Sequence, residues 1–163
     1  AFAAGRRDDV AYSDLTPGEV VAAKLHTNAA RVDETLGELT VLATHKATPT
    51  DLDKLDDLAG TDLHLGMTAE GFADADYAFH HEIARIAGNN FLAMMHEAIG
   101  PHIRSFINAY AHTENDRRLA HERNLELLKA IKSRNEKTAS QTARKHLVPC
   151  LKSMMHITGV TIG

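Results

Sequence analysis

Apolar residues recur along this chain at helical spacing, and polar capping signals punctuate them. Val21, Leu25, Val32, Leu36 and Leu39 form a stripe running toward Thr44, behind Thr16-Pro17-Gly18-Glu19, a capping box with proline at the first helical position. Asn28 or Gly37 could divide that stripe in two. Thr48-Pro49-Thr50-Asp51 repeats the start signal for a short helix carrying Leu52, Leu55 and Leu58 and ending at Gly60. Thr68 then caps a central helix with Phe72, Phe79, Ile83 and Ile86 on one side, and Gly88-Asn89 is its stop. The next helix holds Leu92, Met95, Ile99, Ile103, Phe106 and Ile107, with Gly100-Pro101 inside it predicting a kink. Polar residues 112–116 predict a turn. Leu119, Leu125, Leu128 and Ile131 mark a fifth helix, and a break near Arg134-Asn135 leads to a sixth with Ala139, Ala143, Leu147, Leu151 and Met154, bent by Pro149. Nowhere do β-branched residues alternate between hairpin signals. The fold class this predicts is all-α, an antiparallel bundle of about six or seven helices joined by short connections. Residues 1–15 show no sustained period and read as a linker or arm, leaving 16–163 as one helical domain.

The polar positions that interrupt this pattern carry the candidate chemistry. Asp76 and His80 lie four residues apart on the central helix, so their side chains project from one face about 6 Å apart along the axis. Phe79 and Ile83 flank His80 on the side expected to be buried, where a carboxylate needs a partner to offset its desolvation. If the fifth and sixth helices turn near Asn135, Asn124 lies level with His146. The same argument about Asn89 sets His102 level with Asp76, and Arg104 half a turn beyond. One core site drawing on Asp76, His80, His146 and Asn124 is geometrically reasonable. Imidazole and carboxylate together suit zinc, nickel, iron or manganese. The spacing equally allows a helical surface pair of Asp76 with His80 and a hydrogen-bonded core histidine at 146.

Composition narrows the functional classes. The net charge of −4, with Lys and Arg scattered, argues against this chain gripping a phosphate backbone on its own. One cysteine, Cys150, excludes an internal disulfide framework and fits a reducing, cytoplasmic compartment; it reads as a small buried hydrophobe. No apolar run approaches a membrane span. Nucleophile-elbow, phosphate-loop and dinucleotide glycine patterns are lacking. Ferritin-like carboxylate sites need Glu-x-x-His pairs on two helices, and none occurs. His121, Glu122 and Glu126 read as a solvated face, and Met94-Met95 and Met154-Met155 as core or dimer-contact residues.

The segments Asp76-Tyr77-Ala78-Phe79-His80-His81-Glu82-Ile83, Ala87-Gly88-Asn89-Asn90-Phe91-Leu92, Leu128-Lys129-Ala130-Ile131 and His146-Leu147 together resemble the FCD effector domain of FadR-type GntR transcription regulators. The resemblance extends from about Thr48 to Met155 and more weakly over the preceding helix. It implies an all-α bundle that binds a divalent metal, zinc or nickel foremost, and a small carboxylate or sugar-acid effector, and that passes occupancy to a DNA-binding winged helix in a homodimer. Four metal ligands are implied, one Asp and three His, of which Asp76, His80 and His146 carry over. The remaining histidine falls on Asn124, whose amide oxygen is a poorer ligand for zinc-like ions. His121, one turn earlier, is a possible substitute. Arg104 is the candidate for an effector carboxylate because a guanidinium fork suits that geometry, with His102 and Asn124 beside it. Residues 1–47 are too few for a winged helix, which leaves either a DNA-binding domain outside this chain or a stand-alone sensor. The expected activity is sensing rather than catalysis. The alternative is a metal-dependent hydrolase or lyase using the same ion, which needs a general base near the open position.

Overall fold

The computed structural model describes residues 37–60, 66–98 and 100–157, and all regular structure among them is helical. In chain order these are α1 (37–46), α2 (Pro49–Ala59), α3 (Ala69–Ala87), α4 (Asn90–Ala98), α5 (Gly100–Tyr110), α6 (Glu114–Lys132) and α7 (Glu136–Ile157). The expected all-α bundle is what forms. The expectations for residues 1–36, including the Thr16 capping box, lie outside the described residues. Among the described residues no helix is long and apolar enough to cross a membrane.

The caps fall where the sequence placed them. The Thr48 side chain accepts from the Asp51 N–H at 3.2 Å while the Asp51 carboxylate accepts from the Thr48 N–H at 2.9 Å, a reciprocal box that fixes the start of α2. Thr68 caps α3 by accepting from the Gly71 N–H at 3.0 Å. Gly88 ends α3 at φ 66°, a left-handed conformation that costs glycine no Cβ clash. Two boundaries differ from expectation. The fourth predicted helix is described as two segments, α4 ending at Ala98 and α5 beginning at Gly100, with Pro101 in the first turn of α5. Gly100, the first described residue of α5, has no room for a side chain: a Cβ there would lie 2.7 Å from Tyr77 Oη. The polar turn is shorter than 112–116, since Thr113 caps α6 through a second reciprocal box with Asp116 and the helix starts at Glu114. α7 runs through Pro149.

α3 is the central element, packed against α2, α4, α5 and α6, while α6 and α7 form a hairpin. Two apolar clusters meet along these helices. One contains Phe79, Ile83 and Ile86 of α3, Leu127, Leu128 and Ile131 of α6 and Ala143 of α7. The other contains Phe72, Ala73 and Tyr77 of α3, Ile107 of α5 and Ala120 of α6. α2 is held to α3 by the buried Glu82 carboxylate, which Lys54 Nζ meets at 2.9 Å and Arg85 Nη2 at 2.6 Å, with Arg85 also paired to Asp51. Burial works to raise the Glu82 pKa, and these hydrogen bonds and charges outweigh it and leave it lowered.

The turn between α6 and α7 is tied to α1. Arg134 adopts φ 55° and its guanidinium donates to the carbonyls of Thr44 and Ala47, each at 2.6 Å, satisfying the open C-terminus of α1. Lys46 in turn donates to the Ala87 carbonyl at 2.8 Å, so the last turn of α1 caps α3.

Candidate functional site

The four core residues expected to share a site come from three helices and lie at the seam between the two apolar clusters, with Asp76, Asn124 and His146 buried and His80 half-buried. On α3, Asp76 and His80 interleave with Ala73 and Tyr77 of one cluster and Phe79 and Ile83 of the other. On α6, Asn124 sits between Ala120 and Leu127. His146 follows Ala143 by one turn on α7. Asp76 is 5 % exposed, Asn124 4 % and His146 6 %, which rules out the surface-pair alternative for Asp76.

The geometry is that of a connected polar group. Asn124 Nδ2 donates to Asp76 Oδ1 at 2.6 Å, a short, charge-assisted bond between two helices. His80 Nε2 lies 3.9 Å from Asp76 Oδ2. The His80 and His146 rings meet edge to face, with centroids 4.9 Å apart and planes at 62°. Burial, then the charge of His80, pushes the His146 pKa down to about 3, against a hydrogen bond from its ring to the Arg123 main-chain carbonyl. His146 is therefore a neutral imidazole near pH 7, the form that ligates metals and accepts hydrogen bonds. Among the described residues nothing donates a hydrogen bond to the buried Asn124 Oδ1.

One carboxylate, two imidazoles and an amide oxygen are the kinds of donor that suit a borderline divalent ion. Among the described residues, no three His, Cys, Asp or Glu side chains are drawn together as a metal would hold them. One Asp76 oxygen is already engaged by Asn124. The donor set thus fits in chemistry, with the amide replacing a third imidazole.

Of the expected effector contacts, Asn124 is part of this group and Arg104 lies elsewhere. Arg104 Nε pairs with Asp74 Oδ1 at 2.9 Å, and its guanidinium carbon sits 3.9 Å above the Tyr77 ring. It lines a shallow groove of about 530 Å³ with Asp74, Tyr77, His81 and Glu97, on the opposite flank of α3 from Asp76. The His102 side chain lies outside the described residues. So do the side chains of Cys150, Met95, Met154 and Met155, while Met94 is exposed. His121 is 4 % exposed, which corrects the solvated-face reading: it shares the inward stripe of Asn124 and Leu128, and only Glu122 and Glu126 face water.

Two residues that the sequence reading missed adjoin the site. His96 of α4 stacks on Tyr77 with centroids 4.8 Å apart and lies 5.7 Å from the His81 ring. Burial, followed by the charges of His80, His81 and Arg104, depresses its pKa to about 4. Arg123 precedes Asn124 and flanks His146. No sequence signal distinguished either, because both depend on the flank of a helix that turns toward its neighbour.

No curated protein matches the chain. The family model described as the FCD domain matches residues 31–148, a span that includes Asp76, His80, Asn124 and His146. Since that match spans well over half of its length, the chain belongs to the FCD domain family.

Proposed function

We propose that this chain is the ligand-sensing domain of a GntR/FadR-type transcription regulator, binding a small carboxylate or sugar-acid effector at the seam formed by Asp76, His80, Asn124 and His146. Membership of the FCD family supports the regulatory role. The observation that carries the reading is the burial of one carboxylate, one imidazole and an amide from three helices between two apolar clusters, with the half-buried His80 imidazole beside them. A polar group of that size is costly to bury and is a common mark of a binding site. A divalent ion, zinc or nickel, would be held by Asp76, His80 and His146, with the amide oxygen of Asn124 available as a weaker ligand. When bound it would supply a positive charge for an effector carboxylate. Asp76 and the Asn124 amide hold α3 against α6 in the free chain, and His146 brings in α7. Occupancy then favours one packing of these helices, and an effector shifts DNA affinity only as far as it prefers one of two packings.

The DNA contact belongs to a winged helix outside residues 1–163, in a cytoplasmic homodimer. Phe91 and Met94, 69 % and 66 % exposed on one face of α4, support self-association. The hydrolase or lyase alternative gains no support from Glu82, the nearest candidate base in sequence, which Lys54 and Arg85 engage. A thermal-shift panel of small carboxylates and sugar acids tests the reading. It should find a stabilising ligand that is returned unchanged, and turnover would favour the enzyme.

A further inference from the structure

Three rings pack together on the flank of α3 that faces away from Asp76. The Tyr77 ring stacks on His81 of its own helix with centroids 5.8 Å apart and on His96 of α4 at 4.8 Å. The two imidazoles lie 5.7 Å from each other, with their planes inclined at 32°. Tyr77 Oη donates to the His96 carbonyl at 3.3 Å, which sets the height of α4 on α3. Both histidines are half-buried, and each has one nitrogen that the packing leaves unused. Nδ1 of His81 and Nδ1 of His96 are shielded from solvent, and among the described residues neither has a hydrogen-bond partner. Buried polar atoms in that condition are rare, and a facing pair of the same kind calls for a common explanation.

The spacing suits a shared ion. With metal–nitrogen bonds of about 2.1 Å, two imidazoles on one tetrahedral ion have ring centres roughly 5–6 Å apart. The separation of His81 and His96 falls within that range. A bare divalent ion is smaller than a water molecule, so it can serve two nitrogens that solvent does not touch. His96 is kept neutral near pH 7 by its burial and so has a lone pair to give. The surrounding charges leave room for a cation. His81 lines the groove of about 530 Å³ that also holds Lys54, Asp74, Glu82, Glu97 and Arg104. Asp74 engages Arg104 and Glu82 engages Lys54, which leaves the Glu97 carboxylate to balance an added positive charge. We propose that His81 and His96 form a second site for a borderline divalent ion, zinc or nickel, in which Nδ1 of each imidazole is a ligand and water on the groove side fills the remaining positions. The ion ties α4 to α3. Neither histidine belongs to the seam of Asp76, His80, Asn124 and His146, so this site stands independently of the sensor reading.

The test counts ions. The chelator-treated full chain is dialysed against zinc or nickel, and bound metal is measured by elemental analysis in the wild type, His81→Phe, His96→Phe, the double variant His80→Ala with His146→Ala, and His112→Phe, a control at an exposed histidine. Phenylalanine keeps a ring against Tyr77, so the stack persists in both groove variants. His81→Phe and His96→Phe should each lower the bound metal by one equivalent whatever the seam holds, and the seam variant should retain that equivalent. Zinc should also slow hydrogen exchange in α4 of the wild type and not of His96→Phe. Wild-type metal content in both groove variants, loss of all metal in the seam variant, or an equal loss in His112→Phe would overturn the proposal, as would a wild type that binds no ion. Metal lost from the seam variant alone would favour the seam as an ion site while removing this one, so the two readings fail separately. If the seam variant does not fold, the comparison of the wild type with the two groove variants still decides.

Discussion

The bond between Asn124 and Asp76 links the two helices on which the site depends, and a double-mutant cycle measures it. At 2.6 Å between two buried side chains, with a carboxylate acceptor, it belongs to the charge-assisted class that contributes about 1.5–3 kcal/mol. Asn124→Ala strips the buried carboxylate of its donor, and Asp76→Ala leaves a buried amide unpaired, so each single change should cost about 2 kcal/mol or more. The double variant loses the bond once and leaves neither group stranded. Its cost should fall short of the sum of the single costs by about 1.5–3 kcal/mol, the coupling energy of residues in direct contact. Urea denaturation of chelator-treated protein at pH 7.5, with the slope checked for constancy across variants, gives all four stabilities. In a domain of this size each kcal/mol should appear as a shift of about 2–4 °C in Tm. A coupling energy within about 0.5 kcal/mol of zero would mean that the two side chains do not meet, and the seam would lose its central connection.

Acid should weaken the metal-free fold through His96 and His146, whose folded pKa values of about 4 and about 3 lie below the ordinary 6.5. Their stabilising contribution is complete above pH 6.5 and is lost as pH falls toward the folded values, by at most about 1.4 kcal/mol per pH unit for each group. Urea titrations between pH 7.5 and 5 should therefore be flatter in His146→Phe than in the wild type, and parallel profiles would contradict the assignment. Gly100→Ala places a methyl 2.7 Å from Tyr77 Oη and should cost about 1–3 kcal/mol by thermal melting; an unchanged Tm would show that α5 does not start against Tyr77. Arg134→Ala removes two donors from the C-terminus of α1 and should speed hydrogen exchange at its last turn. Arg134→Gly should do the same while relieving the strain of φ 55°.

The helices and caps were legible because Thr48-Pro49, Thr68 and Gly88 each do locally what their side chains dictate. The level of Asn124 with His146 was legible too, since two regular helices joined by a turn of three residues have little freedom to slide. Azimuth was harder. The extrapolation that set Arg104 near Asp76 matched heights along the helices and left the direction around the axis open, and Arg104 turns toward Asp74 and Tyr77. His121 was read from its charged neighbours Glu122 and Glu126, when its spacing of three and seven residues from Asn124 and Leu128 was the better guide to burial. Arg123 and His96 could not be found in this way. Their environments are set by α7 and by α3, far away in sequence.

Whether the seam holds a ligand is settled most directly by thermal shift with zinc, nickel and the carboxylate panel on the wild type, His80→Ala and His146→Ala. At least one compound should stabilise the wild type, and that stabilisation should disappear in both variants, each confirmed as folded by circular dichroism. A wild type that responds to nothing, or a shift of undiminished size in both variants, would contradict the claim that this buried polar group is where the domain senses its effector.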